Sequence, residues 1–442
     1  MSREKLDGMY LVLLGCAVFV LFGSAMEHGS TFRMSDFKDL YYASRCALQH
    51  HDPYLQSQLE QVYRADGGTY PSDPWIAVRV RQCITLYDNL PPTLLLIVPI
   101  ALMPFGAAEM IWIALTAASL IVAALLAWDL GAEFSPRIAG GLVFLVLAGS
   151  EVILIIGNIG GIVVSLVVIA AWCFIRERFV LAGTISMAIA LVVKPHDAGL
   201  VWLYFLLAGG IQRKRALNVA IIAAVLVVSA SVWTMQVSPQ WIQELKINLS
   251  VLDGRGGIAN PGESGPGLAN VISLQAFFSV FLDDPRFYNL TSLIICAVPF
   301  FIWLFRTLRQ PPRLKEGWFA LASIACFTML PVYHRSYDAK LLLLTIPACA
   351  LLWAERPPLR WTALVLSSAA ILLTGDLFWA PLLGLLRFVH LPAGAVSHLF
   401  IAAIQSFPVP LSLFVLGAFY LWIYMRPVPI FPAQASASNL MN

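Results

Sequence analysis

The sequence predicts an all-α integral membrane protein: a polytopic bundle of about twelve transmembrane helices, within limits of eleven and thirteen, with amphipathic helices in its first outer loop. Three observations carry this. Of 442 residues, 59% are apolar and only 12% charged, with a mean hydropathy of +0.79, where an ordinary soluble domain has roughly 25% charged residues. Apolar runs recur along most of the chain. The basic residues fall between those runs rather than on one segment, so the net charge of +3 reports topology and gives no footing to a nucleic-acid partner.

In chain order, Arg3 and Lys5 precede an apolar run from Met9 to about Met26. No clear small-residue cleavage site precedes Glu27-His28, so the expectation is a retained first helix with a cytoplasmic N-terminus. Residues 27–90 form a polar outer loop, long enough for one or two helices along the membrane surface. Apolar segments follow at about 91–104, 107–128, 138–156, 159–175, 180–193, 197–210 and 216–235. Several fall short of the ~20 residues that cross a ~30 Å hydrocarbon layer. They are bounded by Pro91-Pro92, Gly157-Asn158 and Lys194-Pro195, and helices broken in this way are held in a membrane only where protein or a cavity covers the freed backbone groups.

A second polar loop, 236–285, has six glycines between Gly254 and Gly267, which suits a mobile lid or a flexible connection alike. Further apolar segments lie at about 287–305, 316–331, 339–354, 359–375 and 407–425. Arg306, Arg309, Arg313 and Lys315, then Arg356 and Arg360, mark two cytoplasmic loops and leave Tyr333 to Asp338 and the loop from Asp376 to Gln405 outside. Thirteen segments cannot leave both termini inside. One must fail to span, and Arg213-Lys214-Arg215 directs suspicion to the Gly157-Asn158 and Lys194-Pro195 neighbourhoods. Residues 1–442 thus read as one transmembrane domain. Of the seven cysteines, only Cys46 and Cys83 lie in the first outer loop, where a disulfide is open to them if that loop meets an oxidising compartment.

The outer-loop motif Asp36-Phe37, Tyr41-Tyr42-Ala43 and Asp52-Pro53-Tyr54 is followed by Pro91-Pro92, Gly157-Asn158, Lys194-Pro195 and His334. This order resembles the polyprenyl-phosphate-dependent glycosyltransferases of the GT-C fold, and among them glycosyltransferase family 87, the mycobacterial-type mannosyltransferases. Two positions depart from that pattern: His50 stands where the family has Gly before Asp-Pro-Tyr, and Asn158 where it has Gln. The resemblance implies a bacterial inner-membrane enzyme moving a sugar, with inversion, from a polyprenyl-phosphate donor to a glycolipid or glycan acceptor at the outer face. It also implies a single GT-C transmembrane domain among membrane lipids.

The residue chemistry suits that expectation. Such a transfer needs a carboxylate to deprotonate the acceptor hydroxyl and cations to neutralise the departing phosphate, and no cofactor. A divalent metal is possible but not required. The resemblance makes Asp36 the catalytic base; an N-cap of the following helix is the competing reading. Asp39, one turn on, is a second carboxylate or an ion ligand. Lys194 interrupts an apolar run, where a lysine is costly unless paired or facing a polar cavity, and phosphate binding competes with snorkelling. The substrate-binding set is completed by Tyr42, Asp52, Tyr54, Asn158, His196, His334 and Arg335, with Asp338 nearby. Glu151 suits a site or a helix–helix hydrogen bond equally. A secondary transporter and a ligase or flippase of lipid-linked glycans are the alternatives. The absence of a repeat between the halves weighs against the first, and the inside location of most cations against the second.

Overall fold

The computed structural model describes residues 2–254, 256–262, 271–312, 314–375, 404 and 406–426. The chain begins with α1 (Arg3–Gly29), α2 (Ser35–Leu48), α3 (Gln56–Ala65), α4 (Pro74–Thr85), α5 (Pro91–Ala101) and α6 (Phe105–Gly131). It continues through α7 (Pro136–Ala148), α8 (Glu151–Ile156), α9 (Ile159–Arg176), α10 (Val180–Val193), α11 (Pro195–Leu207) and α12 (Gly210–Val237). After α13 (Trp241–Asp253) and α14 (Leu274–Ser279) come α15 (Pro285–Arg309), α16 (Leu314–Thr328), a 3-10 run over Asp338–Thr345, α17 (Ile346–Glu355), α18 (Pro357–Leu373) and α19 (Pro408–Met425). The one extended pairing among the described residues is an isolated bridge between Val271 and Arg335.

Among the described residues, seven stretches are long and apolar enough to cross a membrane: α1, α6, the α7–α8 pair, α9, α12, α15 and α19. The first polar loop holds three helices, α2 to α4, rather than one or two. The expected loop from 376 to 405, apart from 404, and residues 255 and 263–270 of the second polar loop lie outside the described residues.

The breaks read from the sequence have local causes. Gly157 closes α8 with φ of 68°, and a Cβ there would meet Met34 and Phe37. Asn158 then opens α9, its Oδ1 accepting from the Gly160 amide at 2.7 Å. Pro195 has no N–H to donate and ends α10 at Lys194. Along α1, Gly8, Gly15 and Gly23 let the backbone close on Pro136, Phe144 and Leu154 of α7 and α8.

Helix α5 is the unexpected element. It has 11 residues, ~16 Å at 1.5 Å per residue. It starts after Leu90 beside the cavity described below, and just beyond its end the Met103 carbonyl accepts from Tyr41 Oη of α2 at 2.7 Å. Both ends therefore lie at the same end of the bundle. The basic clusters gather at the opposite end, where Arg176 donates to Asp129 at 2.9 Å and Arg215 to the Phe174 carbonyl at 2.8 Å.

The two long polar loops are locked together. Asn248 of α13 donates to the carbonyls of both Tyr54 and Tyr87 at 3.0 Å. A helix, rather than loose chain, thus roofs the first loop.

Candidate active site

At the end of the bundle that carries α2 lies a cavity of about 660 Å³. Asp36 and Asp39 of α2, with Asp88 from the segment before α5, line one side. Asn158, Lys194, His196, Arg335 and Asp338 line the other. Leu245, Leu249 and Leu252 of α13 and Leu293 of α15 supply an apolar wall.

Asp36 does not cap its helix. Helix α2 starts at Ser35, its cap residue Met34 makes no side-chain cap bond, and the Asp36 carboxylate instead accepts from Ser35 Oγ at 2.9 Å and Asn158 Nδ2 at 2.6 Å. Asn158 thus has two tasks: its oxygen starts α9 and its nitrogen holds Asp36. Asp39 is only 5% exposed, and its Oδ1 has no hydrogen-bond partner among the described residues. Burial, then the charges of Asp88 and Asp36, raise its carboxyl well above the usual range. Asp88 is open to the cavity, yet enclosure by the surrounding walls and the charge of Asp36 push it up to about 6, against an opposing effect of Lys194.

On the facing wall, Lys194 Nζ donates to Asp338 Oδ1 at 2.9 Å, lies 3.8 Å from Asp197 Oδ2, and sits 4.9 Å above the Tyr337 ring. It points inward, not out along a helix to water. Gly160 is where the walls meet: a Cβ there would lie 2.5 Å from Asp338 Oδ1 and 2.8 Å from both Asn158 Oδ1 and Lys194 Nζ. Asp36, Asn158, Lys194 and Asp338 therefore form one continuous polar chain around a missing side chain. Arg335 donates to the Ile258 carbonyl at 2.6 Å and through Nε to Tyr333 Oη.

Four residues expected to bind substrate lie outside this lining, each for a local reason. Tyr42 is buried, donates to Asp66 Oδ2 at 3.1 Å and stacks on Phe105. Asp52 accepts from the Tyr54 amide at 2.9 Å, building the turn at Pro53. Tyr54 is buried and reaches the Asn89 carbonyl at 3.0 Å. His334 is fully buried and faces away from the cavity, with Nε2 at 2.9 Å from Asp197 Oδ1 and its ring 4.9 Å from that of His196. Cys46 and Cys83 are both free thiols, and Glu151 is buried at the start of α8. The sequence reading missed Asp88, Gly160 and Asp197. Available signals were an acid three residues before Pro91-Pro92, a Gly-Gly pair directly after Ile159, and an acid three residues after Lys194.

His196, Asp197 and His334 each bring one ligand atom within 4.8 Å of the others, a set that fits a metal ion by donor type. The Lys194 ammonium already at 3.8 Å from Asp197 opposes a dication at that point.

The model of glycosyltransferase family 87 matches residues 89–332, more than half of the 442. The chain belongs to glycosyltransferase family 87. It is accordingly an enzyme, a transferase with a sugar donor and an acceptor. The stretch matched by family 87 carries Asn158, Gly160 and Lys194; Asp36 and Asp338 fall outside it and are joined to it by the hydrogen bonds of Asn158 and Lys194. No curated protein and no solved structure matches the chain.

Proposed function

We propose that this family 87 glycosyltransferase is a GT-C type mannosyltransferase that uses a polyprenyl-phosphate sugar and a glycolipid or glycan acceptor. The observation that carries the reading is the chain from Asp36 through Asn158 to Lys194, which puts a carboxylate and a cation on one cavity with one amide residue between them. In the reaction, the acceptor oxygen attacks the anomeric carbon while Asp36 takes its proton. The bond from that carbon to the phosphate oxygen breaks, inverting the centre, and the polyprenyl phosphate leaves as an anion beside Lys194. Asp39 and Asp88 offer acceptors to sugar hydroxyls. Lys194 is paired with Asp338, whereas Arg335 is hydrogen-bonded to the neutral Ile258 carbonyl and Tyr333 hydroxyl and keeps its charge on the cavity. One such charge suits one phosphate charge better than a nucleotide diphosphate.

The proposal extends to topology. If α5 stays at one end, α1, α6, α7 with α8, α9, α10, α11, α12, α15, α16, the 3-10 run with α17, α18 and α19 make twelve traverses, an even number with the basic clusters at both termini's end. The positive-inside rule then turns the cavity outward, the periplasmic side in a bacterial inner membrane.

The test is transfer by the purified protein in lipid vesicles, offered polyprenyl-phospho-mannose or GDP-mannose. Product from the lipid donor alone is expected; product from GDP-mannose alone would reject the reading.

A further inference from the structure

Lys194 carries two carboxylates, Asp338 at 2.9 Å and Asp197 at 3.8 Å. A cation shared by two anions is a poor receptor for a third. The cancelling charge comes from behind the cavity wall, where His334 and Asp197 are both fully buried and 2.9 Å apart.

We propose that Asp197 and His334 are a positioning pair: His334, held as imidazolium against Asp197, cancels the second carboxylate on Lys194 and so keeps that corner neutral enough to receive the donor's anionic phosphate. This rests on the phosphate-donor reading above.

The hydrogen positions follow from the contacts. His334 Nδ1 lies 2.9 Å from the Val332 carbonyl oxygen, which can only accept, so Nδ1 carries a proton. Nε2 lies 2.9 Å from a carboxylate oxygen, an ion-pair distance without the alignment of a hydrogen bond. Two acceptors facing each other at that distance repel, and a proton on Nε2 turns the contact into an ion pair. No neutral donor reaches either Asp197 oxygen among the described residues, so this buried anion is compensated by Lys194 and His334, with His196 beside them. Burial alone would lower the His334 pKa, but Asp197, with Asp338 behind it, outweighs that and raises it. The charged and titratable groups around the imidazole are Asp197 and His196 from α11, Lys194 from the α10–α11 junction and Asp338 from the 3-10 run; the segment bridging from Val271 contributes only the Ile272 amide, to the His334 carbonyl. With His334 charged, Lys194, His334, Asp197 and Asp338 sum to zero; with His334 neutral, they sum to one negative charge.

Because His334 has a raised pKa, the neutral corner is present at lower pH and lost as pH rises through that value. A phosphodiester donor does not titrate in this range, so its KM should rise on the alkaline side.

The experiment measures donor KM and kcat for polyprenyl-phospho-mannose from about pH 6 to about pH 10. His334→Gln should raise donor KM about tenfold, the scale of one weakened charge-assisted contact, with a smaller change in kcat and no alkaline rise. The double variant His334→Gln with Asp197→Asn removes one charge of each sign and should return donor KM close to the wild-type value, a rescue that a purely structural role would not give. An unchanged KM in His334→Gln, or a double variant no better than the single, overturns the proposal. If His334→Gln fails to fold, a flat wild-type donor KM over the same range overturns it. Lys194→Ala separates the layers: indifference of donor use to that change rejects the phosphate reading of the corner and this inference with it. Loss of donor use there, without an effect at His334, rejects the inference alone.

Discussion

On the wall built by α2, Asp36 is held by two neutral donors, Ser35 and Asn158, and Asp39 is buried with an unpartnered oxygen. On the facing wall Lys194, Asp338, Asp197 and His334 are paired before any substrate arrives. The difference matches the demands of group transfer. A base must keep a lone pair for a proton, and strong cationic pairing would lower its basicity. A phosphate receptor must hold a cation in place without presenting so much positive charge that the product stays bound. Among the described residues the two walls meet at Asn158 and at the space over Gly160.

The contrast is broken most severely at Asp36. Asp36→Asn keeps the contact with Ser35 and the size of the side chain but accepts no proton at neutral pH, so turnover should fall about 10²-fold or more. Because Asp36 is not the helix cap, thermal unfolding in detergent should barely move; retained transfer would remove Asp36 from the chemistry. Lys194→Ala comes next and should weaken donor use by about 1.5–3 kcal/mol, with Lys194→Arg keeping part of it. Equal donor dependence in the alanine variant and wild type would mean that the facing wall holds its charges for structural reasons only.

Gly160→Ala tests the junction. A methyl at that position meets Asp338, Asn158 and Lys194, so transfer should drop about tenfold. Contacts at 2.5–2.8 Å force these side chains apart, a strain of about 1–3 kcal/mol that outweighs the ~1 kcal/mol helix gain of alanine over glycine, so the melting temperature should fall slightly. An alanine variant with full activity would show that the walls do not depend on this close approach.

The smallest effect concerns Asp88. Its folded-state pKa of about 6 lies above the ordinary carboxylate value of 3.8, so the folded state favours the protonated form and loses stability as pH rises from about 4 to about 6. Asp88→Asn removes that loss. The variant should unfold at a slightly higher temperature than wild type at pH 7, and the gap should shrink towards pH 4; a gap independent of pH would assign Asp88 no role in the charge balance of the acidic wall.

How much of this was legible depends on whether a residue acts through the course of the chain or through the direction of its side chain. Lys194-Pro195 and Gly157-Asn158 were readable as breaks because proline, glycine and a lone polar group in an apolar run act on the backbone directly. The position of Asp36 in a polar loop directly after the first apolar helix followed from loop length and the family likeness. The orientations of Tyr42, Tyr54 and His334 did not, since an aromatic-rich helix in an outer loop looks the same whether its rings face a sugar or, as here, one another and Phe105. Asp197 was hidden because its partner His334 is remote in sequence. Helix α5 misled for a different reason: hydropathy marks it as membrane-like, and only the Tyr41–Met103 hydrogen bond reveals that its ends do not separate.

The glycines that seat α1 have a consequence for how the protein is made and engineered. Helix α1 is anchored by what it lacks, at Gly8, Gly15 and Gly23, and the Met34 amide five residues past its end donates to the Ile155 carbonyl at 2.8 Å, two residues before Asp36. A leucine-rich signal anchor substituted for α1 would enter the membrane as readily, but could not settle to the same depth against α7 and α8. The error would pass along a short tether to Asp36. Helix α1 is thus also a gauge that sets the height of Asp36, and a helix grafted in its place must carry the three glycines with it.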